Sequence, residues 1–211
     1  MRLLYIHPLP VRIWHWTNAI SFIVLTLTAL QIRYVGLIDV VPFHTAVVTH
    51  TYFGFVVTAN FFIWFLYYIT SPKARFYHAE LNPMELFRGC LRQGIYYSYG
   101  IFKGRPNPFH LSEGCKFNPL QALTYQIVML VMVPVQIVTG ILLWDVVRFA
   151  KIVDFFGGVR IVDTAHVLNF IAIVCYIPLH AYLATLGRTP LEHYKAMVTG
   201  YEEVEDEPTA D

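Results

Sequence analysis

The sequence predicts an all-α integral membrane protein, a four-helix bundle with a long cytoplasmic loop carrying an interfacial amphipathic helix. Three observations predict it. Of 211 residues, 56% are hydrophobic and only 14% charged, whereas a soluble domain carries about a quarter charged residues. Four apolar stretches are each long enough to cross ~30 Å of hydrocarbon. Aromatic residues are abundant, with 14 Tyr, 16 Phe and 4 Trp, as at membrane interfaces. A formal net charge of +1 gives no case for nucleic-acid binding.

The elements follow in order. After a short polar lead with Arg2, His7 and Arg12, the first span covers about 13–34 and opens on Trp14 and Trp16, where an aromatic belt is expected. This run is too long, and lacks a small-x-small site, to read as a cleaved signal peptide. The second span, about 47–70, stops at Ser71-Pro72. The third, about 119–144, contains Pro134, and the fourth, about 160–186, contains Pro178. Prolines inside a membrane are tolerated where neighbours satisfy the freed carbonyl. Residues 1–187 thus form one four-span domain, and the acidic stretch 188–211 is expected to be a flexible cytoplasmic tail.

Four spans put both termini on one side. Eleven of the fifteen Lys and Arg residues fall on that side, including the long loop, against Arg33, Arg148, Lys151 and Arg160 on the other. Positive charge is retained inside, so the termini and the loop are expected in the cytoplasm. Within the loop, Asn82-Pro83-Met84-Glu85 reads as a helix start: a capping Asn, Pro at the first helical position, and Glu placed to close a capping box. Met84, Phe87, Leu91, Ile95 and Tyr99 recur at helical spacing, with Arg88 and Arg92 on another face. That pattern fits a helix lying on the lipid interface or packed beneath a partner subunit.

The chemistry lies in four histidines inside the spans. His166 and His180 share the fourth span, 14 positions apart. At 100° per residue that separation falls about 40° short of four turns, so both rings leave nearly one face, roughly 21 Å apart along the axis. His15 opens the first span at the cytoplasmic side and His50 opens the second at the outer side. Depth alone therefore pairs His15 with His180 and His50 with His166. Two nitrogens on opposite faces of a flat macrocycle give six-coordinate haem b, which transfers electrons and leaves no iron position for oxygen. The competing reading is a set of polar side chains satisfied by interhelical hydrogen bonds. Zinc fits less well, since it prefers four donors at one depth.

Small residues one turn from a ligand would let a porphyrin approach the backbone. Ala19, Gly54 and Ala184 each follow a histidine by four, Phe170 breaks the pattern after His166, and Gly140 in the third span is placed to face the bundle. His7, His44, His78, His110 and His193 lie outside the spans and read as surface residues. Cys90, Cys115 and Cys175 form no C-x-x-C pair and no C-x-x-C-H site, which argues against iron–sulfur clusters and covalent haem.

The opening HPLPVRIWHWTNA resembles the first-helix signature of bacterial di-haem cytochrome b membrane subunits. That group includes the cytochrome b of nickel–iron hydrogenases, the formate dehydrogenase gamma subunit and the thiosulfate reductase cytochrome b. The resemblance extends over nearly the whole chain and implies the same ligand pairs, His15–His180 and His50–His166. It implies a bacterial inner-membrane subunit that passes electrons between a periplasmic partner and the quinone pool, menaquinone or ubiquinone. The partner would be a catalytic or electron-carrying subunit of the hydrogenase, formate dehydrogenase, sulfur-compound reductase or multihaem cytochrome type. Quinone reductase or quinol oxidase activity would then belong to the complex. In formate dehydrogenase gamma subunits an N-x-x-Q stretch opening the third span lies at the quinone pocket, and here Asn118 and Gln121 match it, with Lys116 or a water chain as the proton source. Asn118 before Pro119 is equally a good helix cap. Two other functions remain open: a structural anchor for a periplasmic oxidoreductase, and a haem-containing transmembrane reductase that does not use quinone.

Overall fold

The computed structural model describes residues 2–71, 80, 82–109, 117–187 and 189–204. Four helices among them are long and apolar enough to cross a membrane: α1 (Leu9–Arg33), α2 (Phe43–Thr70), a third span Pro119–Trp144, and α7 (Val159–Leu183). Only 11% to 22% of each span's apolar window is buried inside the chain, so most of the lateral surface is left for lipid. The protein is an integral membrane helical bundle.

Two spans begin four residues earlier than their apolar runs. Pro8 caps α1 with Pro10 in its first turn, and Pro42 caps α2. Proline pre-sets the helical φ, and its missing N–H is no loss where that group has no intrahelical acceptor. The third span comprises α4 (Pro119–Ile127), a π turn Val128–Met132 and α5 (Val133–Trp144). The π turn ends just before Pro134 and absorbs the break that proline makes in the hydrogen-bond ladder. A short helix, α6 (Ala150–Phe155), precedes α7, whose start is set by Gly157 and Gly158, both at φ +95°.

The spans pack as two hairpins, α1 along α2 and α5 along α7, with α2 touching α5, while α7 makes no comparable contact with α1 or α2. Apolar packing joins Trp64, Met129 and Val133 toward one end, and Leu142, Val153 and Val162 toward the other. Reciprocal bonds staple the first hairpin: Trp14 Nε1 donates to the Asn60 carbonyl at 3.1 Å, and Asn60 Nδ2 donates to the Trp14 carbonyl at 3.0 Å.

In the long loop, α3 spans Pro83–Ile95. Asn82 caps it as expected, but its Oδ1 accepts from Met84 N at 3.1 Å, and Glu80, rather than Glu85, accepts from Asn82 N at 3.0 Å. The expected capping box is therefore replaced by an acidic side chain from before the helix. One face of α3 lies on the start of the third span: a Cβ on Gly89 would stand 2.7 Å from Pro119 Cγ, and Gln93 is buried. Met84, Phe87, Leu91 and Ile95 face outward and are exposed.

The stretch expected to be a flexible tail is folded from Glu192 to Val204. Helix α8 (Glu192–Thr199) leads into β2 (Tyr201–Val204), which pairs antiparallel with β1 (Arg2–Tyr5). Arg12 donates to the Val198 carbonyl, Trp16 Nε1 to the Met197 carbonyl at 3.0 Å, and Tyr194 OH to the Ala181 carbonyl at 2.7 Å. Gly200 turns the chain between α8 and β2 at φ +93°, and a Cβ there would meet the Tyr5 ring at 2.6 Å. A strand partner nearly the whole chain away leaves no local trace in an acidic sequence, which is why composition alone reads as disorder.

His193 Nδ1 lies 3.2 Å from Glu202 Oε1 in this docked segment. That hydrogen bond, aided by Glu192, raises the His193 pKa above its ordinary 6.5. The raised value means the docked form binds the proton more tightly. Its stabilisation is fully present below about pH 6.5 and is lost as pH rises through the raised pKa. Limited proteolysis should cut the C-terminal segment more slowly at pH 6 than at pH 8.5, and His193→Gln should remove that difference. Equal cutting of the unmodified protein at both pH values would contradict it.

Candidate functional site

At one depth of the bundle, α1 presents His15 and α7 presents His180. Their ring centroids lie 6.3 Å apart, tilted by 49°. A direct N–H···N bond would bring such centroids to roughly 5 Å. Two imidazole nitrogens on opposite sides of one metal, each at about 2 Å, put them roughly 6 Å apart. The observed spacing fits the second arrangement. His15 Nδ1 is buried with no hydrogen-bond partner, and the Tyr176 hydroxyl stands 3.5 Å from His180 Nδ1, at the limit of a bond.

At the other depth the histidines, His50 and His166, are tied to the neighbouring helix. Thr28 Oγ1 donates to the Val24 carbonyl at 2.8 Å and lies 2.9 Å from His50 Nδ1. A hydroxyl has one proton; with that proton on the carbonyl, Oγ1 accepts from His50 Nδ1–H. The same arrangement recurs on the second hairpin, where Thr139 Oγ1 donates to the Val135 carbonyl at 2.6 Å and accepts from His166 Nδ1 at 2.8 Å. Both rings therefore keep the proton on Nδ1 and a lone pair on Nε2, the form that binds metal.

On His166 that lone pair is met by the Gln136 amide, whose Nε2 lies 3.0 Å away. Gln136 Oε1 in turn accepts from Asn169 Nδ2 at 2.7 Å, and Asn169 also donates to the Met132 carbonyl at 2.8 Å. Metal ligation at His166 requires Gln136 to turn away. Gly140 makes room for the His166 ring itself: a Cβ would stand 3.3 Å from Cε1. Gly54, one turn after His50, faces open space, with nothing within 4 Å of a built Cβ.

Among the described residues no three His, Cys, Asp or Glu side chains converge as a metal cluster. Donor pairs fit a metal whose other ligands come from a macrocycle, and α7 packs on α5 without comparable packing against α1 or α2. Thr28, Thr139, Gln136 and Asn169 are absent from the sequence expectation. The signal that marks them is polarity inside otherwise apolar spans.

Asn118 and Gln121 lie at the start of the third span and form a complete capping box. Asn118 Oδ1 accepts from Gln121 N at 2.8 Å, and Gln121 Oε1 accepts from Asn118 N at 3.1 Å. Asn118 is buried and its Nδ2 donates to Tyr97 OH at 3.1 Å, whereas Gln121 is exposed. Lys116 lies outside the described residues. The structure thus gives Asn118 the helix-capping role, with Gln121 as its reciprocal partner.

A membrane bundle with imidazoles brought together between its helices belongs to the class of intramembrane metal-group carriers. Residues 6–200 match the family described as prokaryotic cytochrome b561, and the chain belongs to that family. It is a membrane haem b protein of electron transfer. It is similar to the Escherichia coli (strain K12) protein named "Putative cytochrome YdhU", with 32% identity over 200 residues, covering 94% of this chain and 74% of that one. No solved structure matches.

Asn118→Ala removes the cap and the Tyr97 partner and should cost about 1 kcal/mol or more. Thermal unfolding in detergent should show a lower Tm than the unmodified protein, with Asn118→Asp, which keeps the capping oxygen, falling between them. An unchanged Tm for the Ala variant would contradict the capping role.

Proposed function

We propose that this chain carries electrons across the membrane through two bis-histidine b-type haems, between a periplasmic redox partner and the quinone pool. The observation that carries the reading is the 6.3 Å separation of the His15 and His180 rings, with a buried, unpartnered nitrogen on His15. His15 and His180 hold the cytoplasmic-side haem; His50 and His166 hold the outer one. Haem b with both axial positions filled supplies a one-electron carrier closed to oxygen and substrate. The protein's own part is to orient four imidazoles, to exclude water from between the hairpins, and to release Gln136 from His166.

The chain ends pair as strands, which supports termini on one side. The excess of Lys and Arg there supports a cytoplasmic location in a bacterial inner membrane. The quinone site, menaquinone or ubiquinone, rests on the resemblance around Asn118, Gln121 and Lys116. In this arrangement Asn118 holds the helix start, exposed Gln121 offers the amide able to turn toward a quinone carbonyl, and Lys116 supplies protons from the cytoplasm. The periplasmic partner, of the hydrogenase, formate dehydrogenase, sulfur-compound reductase or multihaem cytochrome type, would meet the outer loops 35–46 and 145–160.

A second reading has a specific observation behind it. Both His166 nitrogens have hydrogen-bond partners, Thr139 and Gln136, as a structural histidine in an anchor subunit would. Reduced-minus-oxidised spectra of purified His50→Ala and His180→Ala variants separate the two. The wire reading expects two b-type haems in the unmodified protein and one lost in each variant. An unchanged spectrum in both variants would put the anchor reading in front.

A further inference from the structure

We infer that the groove between the start of α1 and the end of α8 is a binding site for one anionic phospholipid, whose phosphate pairs with Arg12 and whose acyl chain lies along Ile13, Trp16 and Ile20. The groove measures about 370 Å³, within the range of built small-molecule sites. Its α1 wall is one stripe, Leu9, Ile13, Trp16 and Ile20, at the spacing of a single helix face. From Leu9 to Ile20 that stripe runs roughly 16 Å along the axis, from the end of the span toward its middle. Met197 and Val198 of α8 form the opposite wall. Leu9, Ile13, Ile20 and Val198 are exposed. The three on α1 belong to a helix long and apolar enough to cross a membrane, so the occupant that meets them there is lipid.

Arg12 sets the charge of the head. A guanidinium stays protonated in proteins and carries five donors in a planar fork. Nη1 donates to the Val198 carbonyl, and Nε is buried without a hydrogen-bond partner. The Val198 bond leaves Nε and Nη2, the side-on fork that takes two oxygens of one phosphate. Among the described residues the ion pairs are Arg33–Asp163 and His193–Glu202, so no carboxylate neutralises Arg12. Trp16 gives its indole N–H to the Met197 carbonyl at 3.0 Å, which fixes the ring as an apolar wall at the depth where tryptophan sits between headgroups and chains. The same ring stands edge-on to His15, with centroids 5.3 Å apart, so the groove adjoins the His15–His180 pair. A cationic fork beside an apolar trough selects an anionic amphiphile: free phosphate would use the arginine alone, and a neutral lipid the trough alone. Because both helices line the site, a lipid seated in it favours the docked C-terminal segment.

The test uses the purified full chain in nanodiscs of phosphatidylcholine that contain a phosphatidylglycerol with a photoactivatable acyl chain, and cross-linked peptides are mapped by mass spectrometry. Labelling should concentrate on residues 9–20 and on Met197 and Val198. Arg12→Gln should lower it about tenfold or more, the change expected for losing a charge-assisted bond to phosphate. Thr17→Trp, which fills the groove and leaves Arg12 in place, should lower it as well, and it decides the matter if Arg12→Gln does not fold. A photoactivatable phosphatidylcholine should label the groove no more than the rest of the lipid-facing surface. Equal labelling of the groove by both lipids, an unaltered pattern in Thr17→Trp, or displacement of the label by inorganic phosphate or by a water-soluble quinone would overturn the assignment.

Discussion

The structure depends on polar rings that have to be satisfied inside hydrocarbon. A histidine in a membrane span is costly unless it has a partner, and beyond His44 in the first turn of α2 this chain's spans hold four. Three of its spans carry them, with α7 supplying two on one stripe. The outer pair finds partners in Thr28 and Thr139. The inner pair faces itself across a distance too long for a hydrogen bond and suited to a metal between the rings. Everything else about the bundle places these rings.

The two hairpins do that work separately. Trp14 and Asn60 lock the first, while Asn169, Gln136 and the π turn before Pro134 shape the second. α7 packs on α5 and makes no comparable contact with α1 or α2, so the two hairpins meet chiefly through α2 and α5. At one end of the bundle, α8 and the β1–β2 ribbon tie the C-terminal segment to the start of α1 and the end of α7. That is the region where His15 and His180 sit, so the folded tail braces the inner pair.

Much of this was legible in the sequence because the bilayer is a strict solvent. Apolar run length gives the four spans, and the 14-residue spacing of His166 and His180 gives the two depths. The helix starts at Pro8 and Pro42 were missed because apolar runs mark the hydrocarbon, while prolines mark the backbone. Glu80 replaces Glu85 at the α3 cap because a side chain before the helix reached Asn82 N first. The acidic stretch reads as a flexible tail because the strand that orders it, β1, lies nearly the whole chain away from β2. The threonine partners escaped because threonine is common in membrane helices, and only the geometry shows which hydroxyls face a histidine. The N-x-x-Q stretch was read for quinone, yet Asn118 and Gln121 also close a capping box, so one motif serves helix initiation whatever else it does.

The central claim is that the histidines work as two axial pairs, each filling both sides of one haem. Haem content per chain, measured together with the response of the reduced protein to carbon monoxide, tests it most directly. The account predicts two haems per chain and a reduced spectrum that carbon monoxide leaves unchanged, because no axial position is open. A single haem per chain, or a haem that takes up carbon monoxide, would contradict it.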